Sequence, residues 1–204
     1  VIASRPAIRA LLFDGDGVVL TGGVFTRALA ERPDIDVSAL QPFFRNEFVA
    51  CLEASARIED ALPPYLDACG WSDGVEAFLH FWFEAERAVD AELLDLICRY
   101  RANGVQCHLA SNQERRRAAY LTEEMGLGRR FERLFFSCEL GVRKPARAYF
   151  DAIAQALAPL QCCSMLLWDD AVTNVEAARS TGMQAELYTT LESFTFGMAR
   201  YRLV

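Results

Sequence analysis

Five short apolar runs, four to six residues long and separated by stretches of helical periodicity, constrain this chain most. They are Ile8–Phe13, Val105–Ala110, Leu134–Ser137, Ser164–Trp168 and Gln184–Tyr188. Their brevity and apolar content predict strands covered on both faces. Between them, Asp90–Arg101 carries Leu93, Leu94, Ile97 and Tyr100 at helical spacing and closes at Asn103-Gly104. Gln113–Met125 stops at Gly126, Ala146–Leu157 before Pro159, and Val172–Thr181 at Gly182. Glycine and proline at these places are helix stops. Strand-helix-strand units of this length predict an α/β fold with a doubly wound parallel sheet.

Residues 21–87 interrupt the alternation. They hold no strand pattern but three helical stretches, Gln41–Ala56, Asp60–Cys69 and Gly74–Arg87. A helical insertion after the first strand is expected there, with Gly22-Gly23 as a hinge, and residues 1–20 and 88–204 as the α/β core. The aromatic run FLHFWF, with His80 inside it, is expected to pack within the insertion.

The chain carries 28 acidic and 21 basic residues, a net charge of −7. This excludes general binding to a nucleic-acid backbone, which needs a basic face. Arg115-Arg116-Arg117 is expected to be a surface face. Seven cysteines, an odd number without Cys-x-x-Cys spacing, read as reduced thiols, and two histidines leave little for a zinc site. The first residues, VIASRPAIRA, lack the apolar core of a signal peptide, and no run reaches the roughly eighteen apolar residues of a membrane span. A cytoplasmic protein with no membrane partner, monomer or homodimer, is the expectation.

In open parallel sheets ligands bind beyond the carboxyl ends of the strands. The first run ends in Asp14-Gly15-Asp16-Gly17, the second in Ser111-Asn112, the third leads to Lys144, and the fourth ends in Asp169-Asp170, followed by Asn174. Asp14 and Asp16 alternate along the chain so as to project together, and at about 4 Å in an effective dielectric near 20 two unit charges repel by roughly 4 kcal/mol. A hard cation such as Mg²⁺ with oxygen ligands would offset that repulsion. The set suits phosphoryl transfer. Asp14 can attack phosphorus as a nucleophile, and Asp16 can protonate the leaving alkoxide and then take a proton from water. Ser111 and Lys144 can hold the phosphate, Asp170 and Asp169 the metal, and Asn174 can orient a water or a ligand.

The segments LLFDGDGVV, HLASNQ, GVRKPARAYF and LLWDDAVTNVEAARSTGM resemble, in order, the four motifs of the haloacid dehalogenase-like (HAD) hydrolase superfamily. The resemblance implies a Rossmann-like core and Mg²⁺ held by Asp14, Asp170 and the Asp16 carbonyl. It also implies that residues 21–87 are a helical cap that opens and closes over the site. It implies a phosphatase acting on a small phosphate ester, such as a sugar phosphate, through a phospho-aspartyl intermediate. Two positions depart from the pattern: Gly15 stands where a bulkier apolar residue is common, and Asn174 where many relatives carry another acid.

Other roles compete with these. Asp14-Gly15-Asp16-Gly17 could be a turn, although the flanking apolar residues disfavour a calcium loop. Ser111-Asn112 could cap the following helix or bind phosphate beside it. Lys144 could lie on the surface, and Asp169 could ligate a metal or orient a ligand. Arg45 and Arg57 in the insertion could reach substrate or lie on a solvated face. His108 is expected to be a packed, hydrogen-bonded residue. Rival functions are a haloacid dehalogenase, which in the family replaces the second aspartate, a phosphomutase, and a catalytically silent binding protein. A receiver domain presents its acidic pair first, whereas here the pair comes last.

Overall fold

The computed structural model describes residues 7–203. Five parallel strands, β1 (Ala10–Phe13), β2 (Gln106–Ser111), β3 (Arg133–Phe136), β4 (Met165–Asp169) and β5 (Gln184–Leu187), form one sheet in the order β3-β2-β1-β4-β5. Each expected strand is present. The first is shorter than its apolar run: Ile8 sits in an isolated bridge to Leu203. Ser137 and Ser164, expected at strand ends, lie in a short helix and a 3-10 turn.

Twelve α-helices surround or extend this sheet among the described residues. Those between β1 and β2 are α1 (Phe25–Leu29), α2 (Gln41–Arg45), α3 (Glu47–Leu52), α4 (Ile58–Ala61), α5 (Pro63–Cys69), α6 (Gly74–Ala85) and α7 (Ala91–Ala102). The remainder are α8 (Arg115–Thr122), α9 (Ser137–Leu140), α10 (Arg147–Ala156), α11 (Val172–Ser180) and α12 (Leu191–Met198).

Alternation along β1 divides the core into two layers. Leu11 and Phe13 face α7, α8 and α12, where Leu93, Ile97, Leu121 and Phe194 are buried. Ala10 and Leu12 face α10 and α11, against Tyr149, Phe150, Ile153 and Val175. Both faces of the strand are thus dry, which is why its sequence shows no polar alternation. Each fully buried Leu or Phe contributes roughly 1.5–3 kcal/mol.

Helices α1 to α6 bury a third apolar cluster of their own, rich in aromatic rings. Phe25 packs on Trp82 at 4.9 Å between centroids, and Phe44 and Phe48 reach the same indole. The helix expected over Gln41–Ala56 bends at Asn46, which lets Phe43, Phe44 and Phe48 converge on this cluster. The one expected over Asp60–Cys69 is divided at Leu62, where Pro63 and Pro64 begin a new helix. His80 is exposed rather than packed within the aromatic run. Neighbouring residues in the run alternate around the helix, and the cluster claims Phe78, Leu79, Trp82 and Phe83.

Two linkers join these helices to the sheet and run side by side. Thr21 and Gly22 both donate backbone N–H bonds to the Ala88 carbonyl, and Leu20 bridges Val89 antiparallel. A Cβ at Gly22 would fall 2.5 Å from the Glu86 carbonyl carbon. Gly22→Ala is therefore expected to push the linkers apart and cost about 1–3 kcal/mol, read as a lower Tm. At Gly23, where a Cβ meets nothing, the same substitution is expected to leave Tm unchanged.

Candidate active site

The carboxyl edge of the sheet gathers the predicted residues. Asp14 follows β1 directly, Ser111 ends β2, Asp169 ends β4, and Lys144 lies in the loop between α9 and α10. Pairing of β1 with β4 sets Asp14 beside Asp169, because the Asp14 N–H bonds the Trp168 carbonyl at 2.9 Å. Asp14 and Asp169 are buried, Asp16 and Asp170 exposed.

Lys144 is the hub. Its side chain is 1% exposed, and Nζ lies 2.7 Å from Asp14 Oδ1 and 2.6 Å from Asp169 Oδ2. Asn112 seats the lysine by a reciprocal pair: Asn112 Nδ2 donates to the Lys144 carbonyl, and the Lys144 N–H donates to Asn112 Oδ1, at 3.0 and 2.9 Å. Asp169 is saturated, since its Oδ1 accepts from the Ala171 N–H at 3.0 Å and from Asn174 Nδ2 at 2.9 Å. Hydrogen bonds to the Asp14 carboxylate among the described residues fall on Oδ1, from Lys144 and from the Gly15 N–H.

Burial, with the charges of Asp169 and Asp16, pushes the Asp14 carboxyl up to about 7 against the opposing pull of Lys144. Burial and Asp169 likewise raise Asp170. Burial pulls the Lys144 ammonium down, but the two aspartates outweigh it and hold the group above its ordinary value. The cluster carries more negative charge than one lysine balances. Oxygens of Asp14, Asp169 and Asp170 lie within 4.8 Å of one another, and of these Asp14 and Asp170 keep lone pairs free of Lys144, hard donors of the kind a divalent cation takes.

Ser111 keeps its hydroxyl in this edge and does not cap the next helix; Glu114 does, accepting from the Arg116 and Arg117 N–H groups. Ser111 Oγ accepts from Gln113 Nε2 at 2.9 Å. A Cβ at residue 15 would lie 2.5 Å from that Oγ, so Gly15 gives Ser111 its place beside Asp14. The departure at this position thus has a local cause.

Asp16 is held apart from the Lys144 cluster. Gln113 Nε2 donates to its Oδ2 at 2.7 Å and Arg117 to its Oδ1 at 2.8 Å. The expectation that Arg117 lies on the surface is wrong: it is buried, and it also pairs with Glu86. Helical spacing held the signal, since 117 shares a face with Ala118 and Leu121, both buried. Arg116 does reach outward, to Glu59 at 3.1 Å and Glu76 at 2.6 Å.

Arg45 and Arg57 are exposed. Arg45 bonds Gln41 at 3.4 Å, and Arg57 lies 3.6 Å from Glu59 and 4.0 Å from Asp60. Among the described residues no ion pair joins either to Asp14, Asp16, Asp169 or Asp170. Arg57 does line a cavity of about 280 Å³ with Arg115, Arg116 and Glu114. His108 is packed as expected, its Nε2 3.3 Å from Gln106 Oε1, and burial pushes it down to about 4.

A family model described as haloacid dehalogenase-like hydrolase matches residues 8–182. None of the curated proteins matches the sequence. The fold is similar to that of a predicted HAD-like family hydrolase from Porphyromonas gingivalis, at 19% identity over 96% of this chain and 98% of that one, TM-score 0.77. A HAD family enzyme from Bacteroides thetaiotaomicron, solved as a magnesium complex, is similar at 16% identity over 94% and 99%, TM-score 0.79. An aspartate-to-alanine mutant of that enzyme, in complex with magnesium and inorganic phosphate, is similar at 16% over 93% and 98%, TM-score 0.76.

Proposed function

The chain belongs to the haloacid dehalogenase-like hydrolases, and from that premise we propose that it is a magnesium-dependent phosphatase of a small phosphorylated metabolite, such as a sugar phosphate. One observation carries this reading. A buried aspartate at a strand end is pinned through one oxygen by a buried lysine, while a second aspartate two residues on is held separately.

Two of the three clustered carboxylates fit Mg²⁺: Asp14 and Asp170 would hold it, the family resemblance adds the Asp16 carbonyl, and when bound the ion would offset repulsion between carboxylate and phosphate. Asp169, with both oxygens engaged, holds Lys144 and Asn174 in place instead. Asp14 attacks the phosphorus through Oδ2, and the bond from phosphorus to the alkoxy oxygen breaks. Asp16, having taken up a proton from solvent beforehand, gives it to the departing alkoxide. Water then attacks the aspartyl phosphate, Asp16 takes a proton from it, and inorganic phosphate leaves with the Asp14 carboxylate restored. Ser111 and Lys144 hold the phosphate oxygens, and Asn112 keeps Lys144 at its post.

Helices α1 to α6 act as a cap in this reading, and the cavity beside Arg57 lies between them and the start of α8. Seven free thiols support a cytoplasmic location.

A panel of small phosphate esters, assayed for phosphate release with Mg²⁺ and with EDTA, tests the proposal. Metal-dependent release from at least one ester is expected. Release of halide from 2-haloacids, with no phosphate from any ester, would replace the phosphatase by a dehalogenase.

A further inference from the structure

Arg117 stands where three chain segments meet. Its side chain is 7% exposed, and the guanidinium is shared by Asp16, on the loop after β1, and Glu86, just past α6. Glu86 is fixed in turn: Oε1 accepts from the Phe25 N–H at 3.0 Å and Oε2 from Trp82 Nε1 at 2.8 Å. One carboxylate therefore ties down both the first helix and the last helix of the insertion. Its backbone is the one against which Gly22 packs.

Asp16 needs such support. Its side chain is 53% exposed and sits between two glycines, so its own loop gives it little to pack on. Gln113 and Arg117 take one carboxylate oxygen each. Arginine's planar fork suits this task, because two acids at fixed angles determine its orientation.

We propose that Arg117 is the positioning residue for Asp16, and that Glu86 sets Arg117, so that the position of the linkers is transmitted to the carboxylate that serves the leaving group. The inference rests on the phosphatase reading and deepens it. It implies that loss of Arg117 harms esters whose leaving group needs a proton far more than esters whose leaving group departs as an anion.

The test compares kcat/KM, with Mg²⁺, for glycerol phosphate and p-nitrophenyl phosphate in the parent, Arg117→Met, Arg117→Lys and Glu86→Gln. This ratio reports the step in which the alcohol leaves, not the later hydrolysis. Arg117→Met is expected to lower it on the order of 100-fold for glycerol phosphate and less than about fivefold for p-nitrophenyl phosphate. Arg117→Lys should restore part of the loss, and Glu86→Gln should show the same split at smaller size. Equal losses on both esters, or none, overturn the proposal while leaving the phosphatase in place. If Arg117→Met does not fold, the split must still appear in Arg117→Lys and Glu86→Gln, and its absence there overturns the proposal equally. A parent protein inert toward both esters removes the underlying reading, a result that is distinct because it precedes any variant.

Discussion

Asp14→Asn is expected to lower phosphate release by about four orders of magnitude or more, as loss of a nucleophile does in other enzymes, and yet to stabilise the metal-free protein. The two effects share one cause. Folding buries a carboxylate whose charge Lys144 already divides with Asp169. With its carboxyl pushed up to about 7 from 3.8, folded Asp14 binds a proton more tightly than unfolded Asp14 does. Linkage then gives the sign: the ionisation penalty is absent below the unfolded value, grows between about pH 4 and 7, and is complete above. Asparagine carries no such penalty. The Tm of Asp14→Asn relative to the parent should therefore rise across that interval and level off beyond it. Mg²⁺ should narrow or reverse the difference, since on the phosphatase reading it would bind the parent's carboxylate. A variant that retains turnover, or gains nothing at pH 8 over pH 5, would contradict this account of Asp14.

Lys144→Met should have the opposite effect on stability. Two aspartates would be left buried with no cation between them, and breaking a buried pair costs about 3–5 kcal/mol. For a chain of this size that corresponds to a Tm lower by roughly 6–20 °C. Protonation of Asp14 relieves the repulsion, so the loss should be smaller at pH 5 than at pH 8. Turnover should disappear with the lysine. The double variant with Asp14→Asn should recover much of the stability and none of the activity, because the two positions share one electrostatic contact. Thermal melts of the four proteins at two pH values decide the point.

The strands were legible because each is short, apolar and dry on both faces, and their ends named the aspartates, Ser111 and Lys144. Other features escaped. Helix α12 reads LESFTFGM, where Thr195 and Gly197 weaken any helical signal. Its start is marked by a box between Thr190 and Ser193 in place of the usual acidic partner, and Phe194 earns its place through distant rings, those of Phe13, Tyr100, Trp168 and Tyr188. Arg117 was hidden by its neighbours, since three arginines in a row look solvated unless the helix face is counted. Glu86 and Gln113 carry no local signature at all. Their meaning comes from Asp16, 70 and 97 positions away.

The pairing of β1 with β4 also bears on how the protein is made. Asp14 leaves the ribosome well before Asp169, which seats the lysine opposite it and lies more than 150 positions later. A nascent or truncated chain that stops short of β4 holds Asp14, Asp16, Ser111 and Lys144 but lacks the strand and the Asp169 carboxylate that seat Lys144 against Asp14. Unfinished chains thus carry these side chains without the arrangement that gathers them.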